Sequence, residues 1–226
     1  MMVKLLAIDT CGAEGSVALA EGAKVIAEER LPGRSASESL ISVIRQALET
    51  AEWRLNELGA IGVVHGPGSF TGVRVGLSAA KGLSEAGGVS LVTVSRLALL
   101  ARAAGGEEAR VCAVLDAGRG EFYCGVYEGR RRVSEALVAA DEIVAAARGA
   151  SVLVACEPRV AEALGARLVE EPSASSAVGL ILERVAAGEF EDVAAIDANY
   201  LRRTDLEIFA KNAFLNAVKG AGFEGV

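Results

Sequence analysis

Apolar residues run unbroken from Leu5 to Ile8, and the run stops at Asp9. An apolar run this short fits a strand buried on both faces, and residues 3–8 are assigned to it with Lys4 as the single interruption. Residues 9–15 read as a turn, because Asp9, Thr10, Gly12 and Gly15 supply polar and permissive positions. Residues 16–20 and 24–29 read as two more strands joined at Glu21-Gly22. A helix capped by Ser35 or Ser37 runs to about Glu52, with Leu40, Ile41, Ile44, Ala47, Leu48 and Ala51 along its apolar stripe. Residues 60–64 form a short buried strand, 66–69 a glycine-rich loop, 71–86 a second helix and 89–94 a strand. Ser95 caps a third helix that ends near Gly105-Gly106.

The pattern then restarts. With an offset of 107 residues, Asp9 meets Asp116, Glu14 meets Glu121, Glu21 meets Glu128 and Gly22 meets Gly129. Ile8 meets Leu115, and Leu19 meets Val126. Further strands are expected at 110–115, 132–138 and 151–156, with 167–169 a shorter one. Helical stretches are expected at 141–148, 158–164 and 175–187. The reading is an α/β chain of two similar βββαβα lobes, residues 1–104 and 105–226, with a cleft between them. At the end, 197–201 reads as an edge strand and 206–218 as a closing helix that could pack back on the first lobe.

Composition narrows the function. Hydrophobic residues are 52% of the chain, enough for a packed core, and 23 Lys and Arg against 30 Asp and Glu leave a net charge of −7. Such a surface repels phosphate backbones, and with only 4% aromatics there are few platforms for bases, so a stand-alone nucleic-acid binder is disfavoured. A single histidine, His65, excludes metal sites built on two imidazoles. Cys11, Cys112, Cys124 and Cys156 form no C-x-x-C pair and read as free thiols of a reducing compartment. Asp9 cuts the first apolar run too short for a secretory signal, and no apolar run is long enough to span a membrane. A soluble, cytoplasmic protein without a membrane partner is expected.

Three features carry candidate chemistry. Residues 66–72, Gly-Pro-Gly-Ser-Phe-Thr-Gly, lie between a strand and a helix, where backbone N–H groups can face an anion. Thr71 stands where a dinucleotide loop needs glycine, and the Gly-Lys-Ser/Thr end of a P-loop is missing. Gly68 and Ser69 therefore belong either to a phosphate cradle or to a tight turn packed on another surface. Asp9, followed by Thr10, and Asp116 each end a strand and open a turn. Paired turns of this kind face one another across the nucleotide cleft of sugar kinases and actin-like ATPases, where a carboxylate can hold hydrated Mg²⁺. The glycines around them are incomplete, and each Asp can equally cap its own turn. Nucleophilic catalysis would have only His65 as its base, in an apolar run that suits a structural histidine.

The third feature is a row of small residues. Gly72, Gly76 and Ala80 recur at i, i+4 along the second helix, with Ala79 beside them and Leu83 below. An interior glycine costs about 1 kcal/mol relative to alanine, which close approach of another helix would justify. With Leu40, Ile44 and Leu48 on one stripe of the first helix and Ile41 offset from it, these positions form a candidate partner interface.

The run from Gly66 to Leu83 strongly resembles the TsaB family, also called YeaZ. So do the opening Leu-Leu-Ala-Ile-Asp-Thr, the stretch from Asp116 to Tyr123 and the late Tyr200-Leu-Arg202. The resemblance implies an actin-like ATPase (ASKHA) fold and a non-catalytic subunit of the bacterial machinery that makes threonylcarbamoyladenosine in tRNA. It implies a TsaD-like paralogue as partner, carrying the metal and the transferase chemistry, and a TsaE-like ATPase in the assembly. ATP and metal are then expected on those subunits and none on this chain, with tRNA met only through the complex and a homodimer when the chain is alone. Ala36 stands where family members often carry a histidine, and the metal-binding subunit needs a histidine pair near this place. The alternative is an autonomous ATPase or phosphotransferase working at the Asp9/Asp116 cleft.

Overall fold

The computed structural model describes residues 2–31, 36–105 and 110–201. The first half contains β1 (Lys4–Asp9), β2 (Gly15–Glu21), β3 (Lys24–Leu31), α1 (Ala36–Thr50), β4 (Ala60–Val64), α2 (Phe70–Gly87), β5 (Leu91–Val94) and α3 (Arg96–Ala103). The second contains β6 (Arg110–Gly118), β7 (Glu121–Glu128), β8 (Arg131–Ala139), α4 (Ile143–Ala146), β9 (Val152–Ala155), α5 (Pro158–Leu164), β10 (Arg167–Leu168) and α6 (Ala174–Ala186). Each half builds one mixed five-stranded sheet, ordered β3-β2-β1-β4-β5 and β10-β9-β6-β7-β8. The two orders are the same when read from corresponding ends. Each half is therefore βββαβαβα: the strand and helix expected at 89–105 and at 167–187 complete the βββαβα order of each lobe. Position 35 and the closing helix at 206–218 lie outside the described residues.

Both sheets are covered on both faces, which explains the continuous apolar run of β1. Leu6 and Ile8 face the core under α1 and α2, while Leu5 and Ala7 face the core under α6. The cover is exchanged between halves. Helix α6 packs on β1, β2, β4 and β5, and α3 packs on β6 and β7. Gly62 leaves room for Ile181, whose Cδ1 lies 2.1 Å from where a Gly62 Cβ would sit. Gly125 does the same for Leu97. The boundary at 104/105 thus separates the two sheets but not the cores that hold them.

Helix α6 is fastened at its start by the first sheet. The backbone N–H of Ala174 donates to Ser16 Oγ at 2.8 Å, and that of Ser175 to Glu28 Oε1 at 3.1 Å. Ser16 is buried. Ser16→Ala strands a buried helix-terminal donor and should lower stability by about 1–2 kcal/mol, read by urea unfolding.

Three local expectations change. Residues 141–148 hold a 3₁₀ turn and only the four-residue α4. Residues 197–201 form no strand; the Asn199 N–H donates to the His65 carbonyl at 2.8 Å without a ladder. The constant offset of 107 also slips in one strand. Residues on the outer face of the first sheet are Leu6 and Ile8 in β1 and Val17 and Leu19 in β2. On the outer face of the second sheet stand Cys112 and Val114 in β6 and Cys124 and Val126 in β7. β7 keeps the offset of 107, but β6 matches β1 one residue earlier, which turns every side chain of the strand to the other face.

Candidate functional site: the inter-lobe cleft

A cleft of about 710 Å³ opens between the halves. Its walls come from the turn after β1, the start of α2, Asp116 of β6, and Cys156 and Glu157 at the entry to α5. Both expected carboxylates make the same local bond. Asp9 Oδ1 accepts the Cys11 N–H at 2.8 Å, and Asp116 Oδ1 accepts the Gly118 N–H at 2.7 Å. Their environments differ, because the slip in β6 puts them on opposite faces. Asp9 is 2% exposed, whereas Asp116 is exposed.

The glycine-rich loop is packed rather than open. The Ser69 N–H donates to the Cys11 carbonyl at 2.9 Å, and Thr10 Oγ1 donates to the Gly72 carbonyl at 2.6 Å. A Cβ on Gly68 would lie 2.5 Å from the Cys11 carbonyl oxygen, one on Gly72 1.9 Å from the Thr10 carbonyl oxygen, and one on Gly76 2.3 Å from Thr10 Oγ1. The row expected to meet another helix therefore meets the turn after β1. Ala80, Leu40, Ile44 and Leu48 are core residues, and Ala79 and Leu83 pack partly against the same core. Ile41, Phe70 and Arg74 remain outside. Arg74 lies over the Phe70 ring, 3.8 Å from its centroid, and its Nε donates to the Tyr200 hydroxyl at 2.6 Å. Between these groups and Ala79 runs a shallow groove of about 590 Å³.

The floor of the cleft belongs to residues with no sequence signal. Arg96, the first residue of α3, is buried and donates to Glu171 Oε1 at 2.7 Å, joining the two halves. The pair lies directly on Gly12, where a Cβ would come 2.5 Å from Glu171 Oε1 and 2.7 Å from Arg96 Nη2. Arg96 Nε and Asp9 Oδ2 are buried without a hydrogen-bond partner among the described residues. Burial pushes the Asp9 carboxyl above the usual range, opposed by the nearby Arg96 charge. Burial works against the Arg96 charge, yet Asp9 and the other acidic groups around it hold the guanidinium above its ordinary value. Burial also raises Glu157 and lifts Cys156 to about 12. An arginine at the start of a leucine-rich helix reads as solvated, so Arg96 is legible only once α3 is placed on the second sheet.

His65 is half-buried, with Nδ1 2.9 Å from the Val94 carbonyl, and desolvation lowers its pKa. This is the structural reading. Among the described residues no three His, Cys, Asp or Glu side chains are arranged to hold a metal, and no helix is long and apolar enough to cross a membrane.

Two sheets of one strand order, each covered by a helix from the opposite half around a central cleft, define the actin-like two-lobed class. The family model described as TsaD, tRNA N6-adenosine threonylcarbamoyltransferase, matches residues 30–195. The tRNA threonylcarbamoyladenosine biosynthesis protein TsaB of Escherichia coli is 34% identical over 128 residues, 56% of this chain and 55% of that protein. The Bacillus subtilis protein of the same name is 31% identical over 135 residues, 59% of each. The chain thus spans about half the length of the curated relatives it matches first. YeaZ from Pseudomonas aeruginosa superposes with a TM-score of 0.75 at 30% identity, over 88% of this chain and all of that one. The chain belongs to the TsaB/YeaZ family.

Proposed function

We propose that this chain is a non-catalytic partner subunit in the synthesis of threonylcarbamoyladenosine in tRNA, supporting a TsaD-like catalytic paralogue. The observation that carries this reading is the Arg96–Glu171 pair lying on Gly12. It fills the floor of the cleft at the turn where an actin-like ATPase would receive phosphate. The carboxylates of Asp116, Glu157 and Glu171 add an acidic wall that repels the same group. The names of the curated relatives support the pathway. On this reading ATP and metal sit on partner subunits, a TsaE-like ATPase joins them, and tRNA is met through the complex.

The partner surface is the open face of α1 and α2. Ile41 is 53% and Phe70 59% exposed there, bordering the groove beside Ala79. The same face pairs two copies when the paralogue is absent, because a two-fold interface uses one patch twice. Gly76→Leu reports on folding rather than on docking, since its side chain enters the Thr10 turn. The informative changes are Ile41→Glu and Ser78→Trp, both on the exposed side. Each should weaken binding of the purified TsaD-like paralogue at least tenfold, about 1.4 kcal/mol, with the melting transition unchanged. Unchanged affinity would move the interface elsewhere. ATP hydrolysis by the isolated chain that Asp116→Asn abolishes would replace this reading with the autonomous enzyme.

A further inference from the structure

On the outer face of the second sheet, adjacent strands bring two thiols together. Cys112 of β6 stands opposite Val126, and Cys124 of β7 opposite Val114, so the two cysteines are diagonal neighbours on one face. Their sulfurs are 3.2 Å apart, about 1 Å more than the ~2.05 Å of a disulfide bond. Packing alone does not ask for sulfur at this place. The same diagonal of the first sheet is occupied by Leu6 and Val17, two aliphatic residues of the corresponding core. Val114 and Val126 fill the other two corners of the thiol pair.

We infer that Cys112 and Cys124 form a dithiol site that a hydroperoxide oxidises to an intramolecular disulfide. The two sulfurs are not equivalent. Either thiol can donate in this contact; with Cys112 as the donor, the thiolate is favoured at Cys124 against the opposing effect of burial. Holding that proton, together with burial, pushes Cys112 up. With the proton on Cys112, Cys124 is the attacking sulfur, since the thiolate is the nucleophile. Its electron pair forms a bond to one peroxide oxygen and the O–O bond breaks; the leaving oxygen takes a proton and departs as water or alcohol. Cys124 is left as the sulfenic acid. Cys112 then attacks the Cys124 sulfur, the S–O bond breaks, and the departing hydroxide takes the Cys112 proton as water. Two thiols give up two electrons, and one peroxide accepts them.

Access follows from the cover over this core. It consists of α4, four residues long, and α5, seven residues long. Helices this short open locally at small cost, which admits a small peroxide while the sheet stays paired.

The test is treatment of the native protein with hydrogen peroxide, followed by alkylation with N-ethylmaleimide in denaturant and mass spectrometry. Two of the four cysteines should escape alkylation and appear as a cross-linked Cys112–Cys124 peptide, and dithiothreitol should restore four alkylated sites. In Cys112→Ala, dimedone should trap a sulfenic acid at Cys124. In Cys124→Ala, the Cys112 adduct should be at least tenfold less abundant. The same oxidation in guanidinium should lose the preference for this pair, which separates a built site from incidental thiol chemistry. Four alkylated cysteines after peroxide, a cross-link through Cys11 or Cys156, or equal dimedone labelling in the two variants would overturn the inference.

Discussion

Gly72→Ala should destabilise the protein by about 3 kcal/mol in urea unfolding, while Gly82→Ala ten residues along the same helix should stabilise it by about 0.5–1 kcal/mol. Helix propensity alone favours alanine at both places. The difference lies in what the added methyl group meets. At Gly72 it would lie 1.9 Å from the Thr10 carbonyl oxygen, which is backbone and has nowhere to go. The turn after β1 is held at that spot by Thr10 Oγ1 on the Gly72 carbonyl and by the Ser69 N–H on Cys11. Moving it away breaks the contacts that set the cleft wall. At Gly82 nothing lies within 4 Å, and the position is exposed. Equal effects at the two glycines would mean that the turn is soft and that the small-residue row serves another purpose.

These glycines show where the sequence is informative and where it is silent. Spacing at 72, 76 and 80 says that something approaches α2 closely. It does not say that the visitor is the Thr10 turn rather than a helix. The stripe Leu40, Ile44, Leu48 likewise says that one face of α1 is buried, and the structure buries it on the sheet, leaving Ile41 outside. The succession of strands along the chain and the duplication are legible because apolar runs end at Asp9 and Asp116 and restart after a Glu-Gly turn. The one-residue slip of β6 is not legible, because Leu5, Leu6, Cys112 and Ala113 are all apolar and either face of a doubly covered strand accepts them. Exchange of α3 and α6 is hidden for the same reason. An amphipathic pattern marks a buried face without naming the sheet that buries it. Arg96 and Glu171 are 75 residues apart and meet only because α3 is exchanged.

Arg96→Met should cost about 3–5 kcal/mol at neutral pH, with a deficit that shrinks as the solution is acidified. The guanidinium is 5% exposed and its pair with Glu171 is not where most of the loss arises, because Glu171 is half-exposed and water takes over its carboxylate. The loss arises at Asp9. Its carboxylate is buried, keeps the Cys11 N–H as a partner for Oδ1 and has none for Oδ2 among the described residues. Without the neighbouring cation it becomes an uncompensated buried charge. Burial already raises the Asp9 pKa in the folded protein above that of the unfolded chain. The native state therefore holds the Asp9 proton at pH values where the unfolded chain has released it. The stability this contributes is complete below the unfolded pKa and is lost as pH rises through the folded one. Removing Arg96 lifts the folded value further, so the window over which stability falls extends toward neutrality. Urea unfolding from about pH 4.5 to 7.5 should show wild type and variant converging at the acid end. Asp9→Asn added to Arg96→Met should recover most of the loss at neutral pH and flatten the pH dependence. A deficit that stays constant with pH and survives Asp9→Asn would assign the effect to the packing of the arginine stem on the lobe boundary and release Asp9 from the account.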